Sequence, residues 1–198
     1  MPLEKKKPAR VGAVLRAYGS ATLAYPGLLS AVIISTVTIV AGEVIAPLYL
    51  KKFVNMLAVG NTAPYIPWSI AVILGAYALV NLVAWVGQRA RMLTLGRLEA
   101  RVMANLYDKA FTYLIGHSHE FFISNFTGTL TRRVTRYARS FESVLDNILM
   151  NLFPAFLFFV GVVLILSLRN IWLGMSLFAL TVIFIYMQFR IVMWLQPL

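Results

Sequence analysis

Residues 119–137, HEFFISNFTGTLTRRVTRY, form a polar and aromatic segment in which side chains capable of chemistry are concentrated. His117 and His119 could ligate a metal ion, but a metal site usually needs three or four ligands, and the chain has no cysteine and no further histidine. ATP hydrolysis would require a G-x-x-x-x-G-K-[ST] phosphate loop, and no glycine here is followed by lysine. No acid/base pair or nucleophile cluster stands out. We therefore expect no catalytic residue and no metal ligand in this chain.

The elements around this segment are long apolar runs. The 198 residues are 60% hydrophobic and only 13% charged, whereas soluble domains are about 45–50% apolar and about 25% charged. Each run is close to the roughly 20 residues that cross about 30 Å of hydrocarbon as a helix. The pattern predicts an all-α membrane protein with four transmembrane helices, at about 25–49, 65–88, 129–168 (of which 148–168 is the apolar run) and 171–190.

The distribution of lysine and arginine predicts the orientation of these helices. Most basic residues precede residue 25 or lie within 89–147, and such residues are enriched on the cytoplasmic side of membrane proteins. We therefore expect a multi-pass protein of the plasma (inner) membrane with a cytoplasmic N-terminus. The net charge of +11 could indicate a nucleic-acid partner, but the charges lie outside the apolar runs, which fits membrane topology better. Residues 1–23 are interpreted as a cytoplasmic tail with an interfacial elbow helix, and a plain solvated tail is the alternative.

Two amphipathic patterns occupy the predicted cytoplasmic segment. The first predicts a helix continuous from span two to about residue 115, with apolar residues at Leu95, Leu98, Val102, Leu106, Ala110 and Tyr113. The second predicts a helix that enters span three, with apolar residues at Leu130, Val134, Tyr137, Phe141, Val144, Ile148 and Leu152. Spans two and three are thus expected to extend into the cytoplasm as a helical stalk with its tip at 116–128. Gly116 would cap the end of the first helix, and Ser118 or Thr127 would cap the start of the next helical segment.

The segment LYDKAFTYLIGHSHEFFISNFTGTLTRRVTR resembles the first intracellular loop of type I ABC exporters, a group of half-transporters that move lipids, drugs and peptides. In that family, aromatic residues precede a Gly-x-Leu that is followed by Ser or Thr and then Arg. The matching residues are Phe121, Phe122, Gly128, Leu130, Thr131 and Arg133. The stretch APLYLKKFVNML also resembles the end of the family's first helix. One departure is Tyr137, which stands where the family usually has Asp.

The resemblance implies that residues 24–198 are the N-terminal portion of an exporter transmembrane domain. The family domain has six spans followed by an ATPase domain, so we expect a fragment of a longer protein or a truncated gene product, inactive alone. ATP and Mg²⁺ would bind the ATPase domain, which lies outside this sequence. The chain itself would not be an enzyme, whereas its full-length parent would be an ATP-hydrolysing transporter.

The resemblance also implies a role for the stalk tip. It would be a coupling helix that sits in a groove of a nucleotide-binding domain and moves the spans when two such domains close on ATP. The implied contacts are Phe121, Phe122, Ile123, Ser124, Asn125, Phe126, Thr127 and Gly128. Packing within the tip is the alternative for the phenylalanines. A second transmembrane protomer, most simply a second copy in a homodimer, is the other implied partner.

Three polar residues inside the spans are candidates for lining a translocation pathway: Glu43, Asn81 and Asn151. Ionisable residues within a membrane tend to face a cavity or a pathway. Snorkelling to the headgroups also fits Glu43, and interhelical hydrogen bonds fit the asparagines.

The basic residues of the segment leave two interpretations open. Arg132, Arg133, Arg136 and Arg139 could bind anionic lipid or nucleic acid, and a solvated stalk face is the preferred account.

The rival to the transporter function comes from another class: a non-transporting four-helix membrane adaptor or assembly protein that docks a soluble partner through the stalk tip.

Overall fold

The computed structural model describes residues 11–58, 66–116 and 127–195. Every regular element in these ranges is a helix. In chain order the elements are α1 Val11–Leu23, α2 Pro26–Ala58, α3 Ile66–Ile115, α4 Thr127–Asp146, a π-helix Asn147–Leu152, α5 Phe153–Arg169 and α6 Ile171–Leu195.

Four helical stretches in the described ranges are long and apolar enough to cross a membrane, at Pro26–Ala58, Trp68–Ile115, Val134–Arg169 and Ile171–Leu195. Their number and their approximate positions are those predicted from the apolar runs. The prediction of an all-α protein with four membrane-spanning helices is therefore confirmed.

Helix α3 is longer than any bilayer requires. Its 50 residues, at 1.5 Å each, span about 75 Å, whereas the hydrocarbon of a bilayer is about 30 Å thick. The uncharged part of α3 ends at Gln88, and the remaining residues carry charges at regular intervals. Part of the helix must therefore lie outside the hydrocarbon, and its assignment to a cytoplasmic stalk stays a prediction.

Helix α2 extends further than its apolar run. The predicted span ended near residue 49, but the helix continues to Ala58 and contains Pro47. Proline has no backbone N–H, so the carbonyl of Glu43, four residues earlier, lacks its usual helical partner. The helix nevertheless continues through this position, which makes Glu43 and Pro47 one local weak point in its backbone ladder.

Helices α5 and α6 are joined by one residue, Asn170. The side-chain Oδ1 of Asn170 accepts a hydrogen bond from the N–H of Trp172 (2.9 Å) and so caps the start of α6. A Cβ added to Gly174 would lie 2.9 Å from the Cβ of Ser167, so the close approach of the two helices needs glycine there. The connection between α5 and α6 is thus an Asn-capped turn.

The described helices form two compact units. The first contains Met1–Ile39 and Trp85–Phe153, and the second contains Val40–Ala84 and Pro154–Leu198. In the core of the first unit, Leu98 and Val102 of α3 form one cluster with Phe141 and Leu145 of α4. The apolar stripe predicted for α3 is confirmed at Leu95, Leu98, Val102 and Leu106, which are all buried. It is wrong at Tyr113, which is 69% exposed, and Ala110 is half-buried.

The stripe predicted for the second amphipathic helix departs from the buried face before the π-helix, because Leu145 is buried whereas Val144 is half-buried. Ile148 and Leu152 were expected to continue the buried face, but they are 45% and 67% exposed, whereas Leu149 is buried. The N–H of Phe153 donates to the carbonyl of Ile148, a bond across five residues that shifts the helical register.

Pro154 supplies the physical reason for this turn. An α-helix would need an N–H at residue 154 to bond the carbonyl of Met150, and the proline ring would clash with that carbonyl. A wider turn just before Pro154 accommodates the ring without breaking the helix. Pro154 was therefore the sequence signal for the register shift.

Glycine allows a close helix contact inside the second unit. A Cβ on Gly42 of α2 would lie 2.7 Å from the Cβ of Ala84 in α3. Neither group has a flexible end that could move aside. Small residues at such positions let two membrane helices approach closely enough for backbone and side chains to pack.

We expect Gly42→Ala to lower the free energy of unfolding by about 1–3 kcal/mol, because the new methyl group overlaps that of Ala84. Gly75→Ala is the matched control, since Gly75 of α3 has open space where a Cβ would lie. Alanine favours a helix over glycine by about 0.8–1 kcal/mol, so this control should be neutral or stabilising. Unfolding in detergent–denaturant micelles, followed by circular dichroism, gives both values, and equal stability of the two variants would contradict the close contact.

Candidate functional site

The predicted coupling tip falls mostly outside the described part of the chain. Phe121, Phe122, Ile123, Ser124, Asn125 and Phe126 belong to residues 117–126, which the structure does not describe. Thr127 and Gly128 are the first two residues of α4. The structure therefore shows where the flanking helices end and begin, and the contacts proposed for the tip stay predictions.

Gly116 follows the last residue of α3. Its N–H donates to the carbonyl of Thr112 (3.2 Å), so it closes the final turn as a helix cap does. Its backbone does not adopt the left-handed φ that favours glycine at many helix ends. Helix α3 thus ends at Ile115, as predicted. Gly116 lacks the left-handed geometry typical of glycine caps.

The N-terminal helix α1 is held against α4 by an aromatic contact. Tyr18, only 6% exposed, donates its hydroxyl proton to the backbone carbonyl of Tyr137 (2.8 Å). Its ring centroid lies 5.1 Å from that of Tyr137 and 5.3 Å from that of Phe141, the latter edge-on at 71°. Edge-to-face pairs of this kind stabilise beyond the area they bury. Residues 11–23 are therefore a packed helix, and the alternative of a plain solvated tail is wrong for them.

The contact also explains a departure from the exporter pattern. Tyr137 stands where the resemblance would place Asp, and in the structure its ring and carbonyl both contact Tyr18. An aromatic and hydrogen-bonded contact between α1 and α4 thus occupies this position. Burial first, and the neighbouring Tyr137 second, raise the pKa of Tyr18, so its hydroxyl keeps the proton that it donates.

We expect Tyr18→Phe to lower the free energy of unfolding by about 1 kcal/mol, because one buried hydrogen bond is lost while the ring remains. Tyr18→Ala should cost about 3–5 kcal/mol, because it also removes the ring from the core. Tyr186→Phe is a control, since Tyr186 is exposed on α6. Unfolding in micelles measures all three, and an unaffected Tyr18→Ala variant would rule out the packing of α1 on α4.

Three carboxyl groups meet between α3 and α4, and the sequence pattern alone did not single them out. Glu99 of α3 interacts with Glu142 and Asp146 of α4. Its Oε1 is buried and has no hydrogen-bond partner among the described residues. The signal was available in the sequence, because Glu99 lies four residues after Leu95 on the apolar face of α3.

This cluster favours a shared proton. Burial, a hydrogen bond that protonated Glu99 donates to Asp146, and the negative charges of Asp146 and Glu142 together raise the pKa of Glu99 from 4.5 to about 7. Glu99 lies eleven residues beyond Gln88, outside the uncharged part of α3. Among the described residues, no group of three or more His, Asp or Glu side chains is arranged to bind a metal ion. Because the pKa of Glu99 is raised, protonation of this residue removes one of the three negative charges and so lowers their mutual repulsion.

We expect the stability of the chain to decrease as pH rises from about 4.5 to about 7. The folded state holds the Glu99 proton up to about pH 7, whereas the unfolded chain loses it near 4.5, so the unfolded state binds fewer protons in this window. Glu99→Gln should flatten this dependence and raise stability at pH 8. The free energy of unfolding between pH 4 and 8 measures the slope.

Asp108→Asn is the control for this pH dependence, because Asp108 is an exposed carboxylate on the same helix. It should leave the slope unchanged. A slope that survives in Glu99→Gln would show that the carboxyl cluster does not carry the effect.

The three candidate pathway residues are all exposed in this chain. Asn81 donates its Nδ2 to the carbonyl of Tyr77 (2.8 Å), and Asn151 donates its Nδ2 to the Oδ1 of Asn147 (3.3 Å). Each bond lies within a single helix, so the hydrogen bonds shown here are not the interhelical ones considered for them. Glu43 and Asn81 belong to the second unit and Asn151 to the first. Whether they line a pathway stays a prediction.

These observations define a class: a multi-pass α-helical membrane protein in which a 50-residue helix crosses the membrane and continues beyond it. A comparison with protein families identifies which one. Residues 29–198 match the ABC transporter transmembrane region, so the chain belongs to that family. Transmembrane regions of this kind are embedded in the membrane and typically associate with nucleotide-binding domains. No curated protein and no solved structure matches the chain.

Proposed function

We propose that the chain forms the membrane-spanning part of an ATP-driven exporter and transmits the movement of nucleotide-binding domains to a translocation pathway. The observation that carries this proposal is the unbroken helix Ile66–Ile115, in a chain that belongs to the ABC transporter transmembrane region family. A helix of this length joins the interior of the membrane to a point tens of ångströms away along one rigid element.

The packing of α3 on α4 supports a mechanical role. Leu98 and Val102 are fully buried in one cluster with Phe141. Close-packed side chains have low compressibility, so a displacement of one helix is passed to the other rather than absorbed between them. Helix α4 in turn continues through the π-helix into α5. Movement applied at the far end of the pair would therefore reach the apolar part of the chain.

The point where that movement would be applied is the tip at 116–128. In this proposal Phe122, Ile123 and Phe126 are apolar anchors in a groove of the nucleotide-binding domain, and Ser124, Asn125 and Thr127 supply hydrogen bonds. ATP and Mg²⁺ bind that domain, and no residue of this chain takes part in hydrolysis. A second protomer completes the pathway. The protein lies in the plasma membrane with its N-terminus on the cytoplasmic side.

Glu43 is the best candidate in the second unit for contact with a transported molecule. It is the only acidic residue of that unit, and such residues within spans tend to face a pathway. Pro47 leaves the carbonyl of Glu43 without its helical partner, so a backbone acceptor and a carboxylate lie at the same place. Asn81 and Asn151 are weaker candidates, since each already bonds within its own helix.

Cross-linking tests the coupling role directly, because the chain has no cysteine to interfere. Phe122→Cys or Phe126→Cys, labelled with a benzophenone maleimide, should cross-link to the nucleotide-binding domain in membranes that contain it. The double variant Phe122→Ala/Phe126→Ala should retain ATP hydrolysis and membrane insertion but lose transport. The nucleotide-binding domains would then move without displacing the tip.

Phe111→Cys is the matched control, since Phe111 is exposed on α3 outside the predicted tip. It should give little cross-linking to the same domain. Equal cross-linking from the tip and from Phe111 would contradict the coupling role, as would unchanged transport in the double alanine variant. Capture of a soluble protein without ATPase activity would favour the adaptor function.

A further inference from the structure

An amphipathic groove lies in the second unit between the C-terminal part of α2 and the end of α5. Its volume is about 430 Å³. The residues that line it include three cations, Lys51, Lys52 and Arg169, and four apolar side chains, Ile45, Leu48, Ile165 and Leu168. Tyr49 and Asn55 complete its wall. The groove therefore offers positive charge beside apolar surface.

The positive charge of this groove has little to neutralise it within its own unit. The sequence contains no Asp or Glu between Glu43 and Glu99, and none after Asp146. Glu43 is thus the only acidic residue of the second unit, and it lies eight residues before Lys51, about 12 Å along the helix. Lys51, Lys52 and Arg169 are all exposed. These three cations therefore favour the binding of an anion from outside this unit.

The groove lies where a membrane meets water. Asn170 alone joins α5 to α6, and both helices are long and apolar enough to cross the bilayer, so the turn between them must lie at an interface. Lys51 and Lys52 are the first cations after the apolar run of α2. In the predicted topology this is the outer interface, where an excess of lysine and arginine is not expected.

We propose that this groove binds an anionic phospholipid. Lys51, Lys52 and Arg169 would contact its phosphate headgroup, since arginine and lysine both bind phosphate through charge-assisted hydrogen bonds. Ile45, Leu48, Ile165 and Leu168 would contact the first part of an acyl chain. A water-soluble phosphate would contact only the cations of the groove, whereas a phospholipid would contact its cations and its apolar side chains.

Lipid selectivity tests this proposal in the complete 198-residue chain, reconstituted in phosphatidylcholine vesicles with spin-labelled phosphatidylglycerol. We expect the motionally restricted fraction to show a preference for phosphatidylglycerol over phosphatidylcholine of about tenfold. Changing Lys51, Lys52 and Arg169 together to Gln should reduce it to less than about twofold. The control changes Arg89, Arg97 and Arg101 to Gln, which removes the same charge from exposed positions of α3, and it should keep most of the preference.

Equal losses in both variants would overturn the proposal, because the preference would then follow net charge alone. A photoreactive phosphatidylglycerol with a diazirine on the acyl chain locates the lipid in the unaltered chain, whatever the triple variant does to folding. Cross-links should concentrate on Ile165 and Leu168, and an even spread over the exposed side chains of α6 would overturn the site. Displacement by inorganic phosphate at matched ionic strength would show that a phosphate group alone is recognised, and the lipid assignment would be wrong.

Discussion

In the hydrocarbon of a bilayer no water reaches the peptide backbone, so each N–H and carbonyl must find its partner inside its own helix or a closed barrel. This constraint accounts for the helices of the described chain and for their length. It also makes the prolines informative. Pro154 is accommodated by a π-helical turn that bonds Phe153 to Ile148, and Pro47 provides no N–H for the carbonyl of Glu43 while the helix continues.

The first unit follows a different rule, because its core comes from tight packing of large side chains. Val102 and Leu98 of α3 cluster with Phe141 of α4, and Tyr18 joins them from α1 by a hydrogen bond and two ring contacts. One polar group interrupts this surface. Burial, together with the neighbouring Asp146 and Glu142, raises the pKa of Glu99 to about 7, so the contact between α3 and α4 favours the protonated carboxyl group.

Charge is distributed very unevenly along the chain, and its effect depends on the surrounding groups. Acidic residues are almost absent from the second unit, so Lys51, Lys52 and Arg169 remain available to an anion there. In the first unit the carboxyl groups of Glu99, Glu142 and Asp146 lie together and hold a proton instead. Both features lie in a chain that belongs to the ABC transporter transmembrane region family.

The sequence by itself determined the class of the protein, the number of spans and the continuous helix through residue 115, because apolar run length and a period of 3.6 residues are local properties of the chain. It also determined the buried stripe of α3 as far as Leu106. Only the tertiary structure decided that Tyr137 contacts Tyr18, where the family usually has Asp. It also decided that Ile148 and Leu152 lie outside the buried face and that Lys51 and Arg169 line the same groove. Those outcomes depend on residues more than a hundred positions apart in the chain or on the register shift before Pro154, and no local pattern shows which distant side chains will meet.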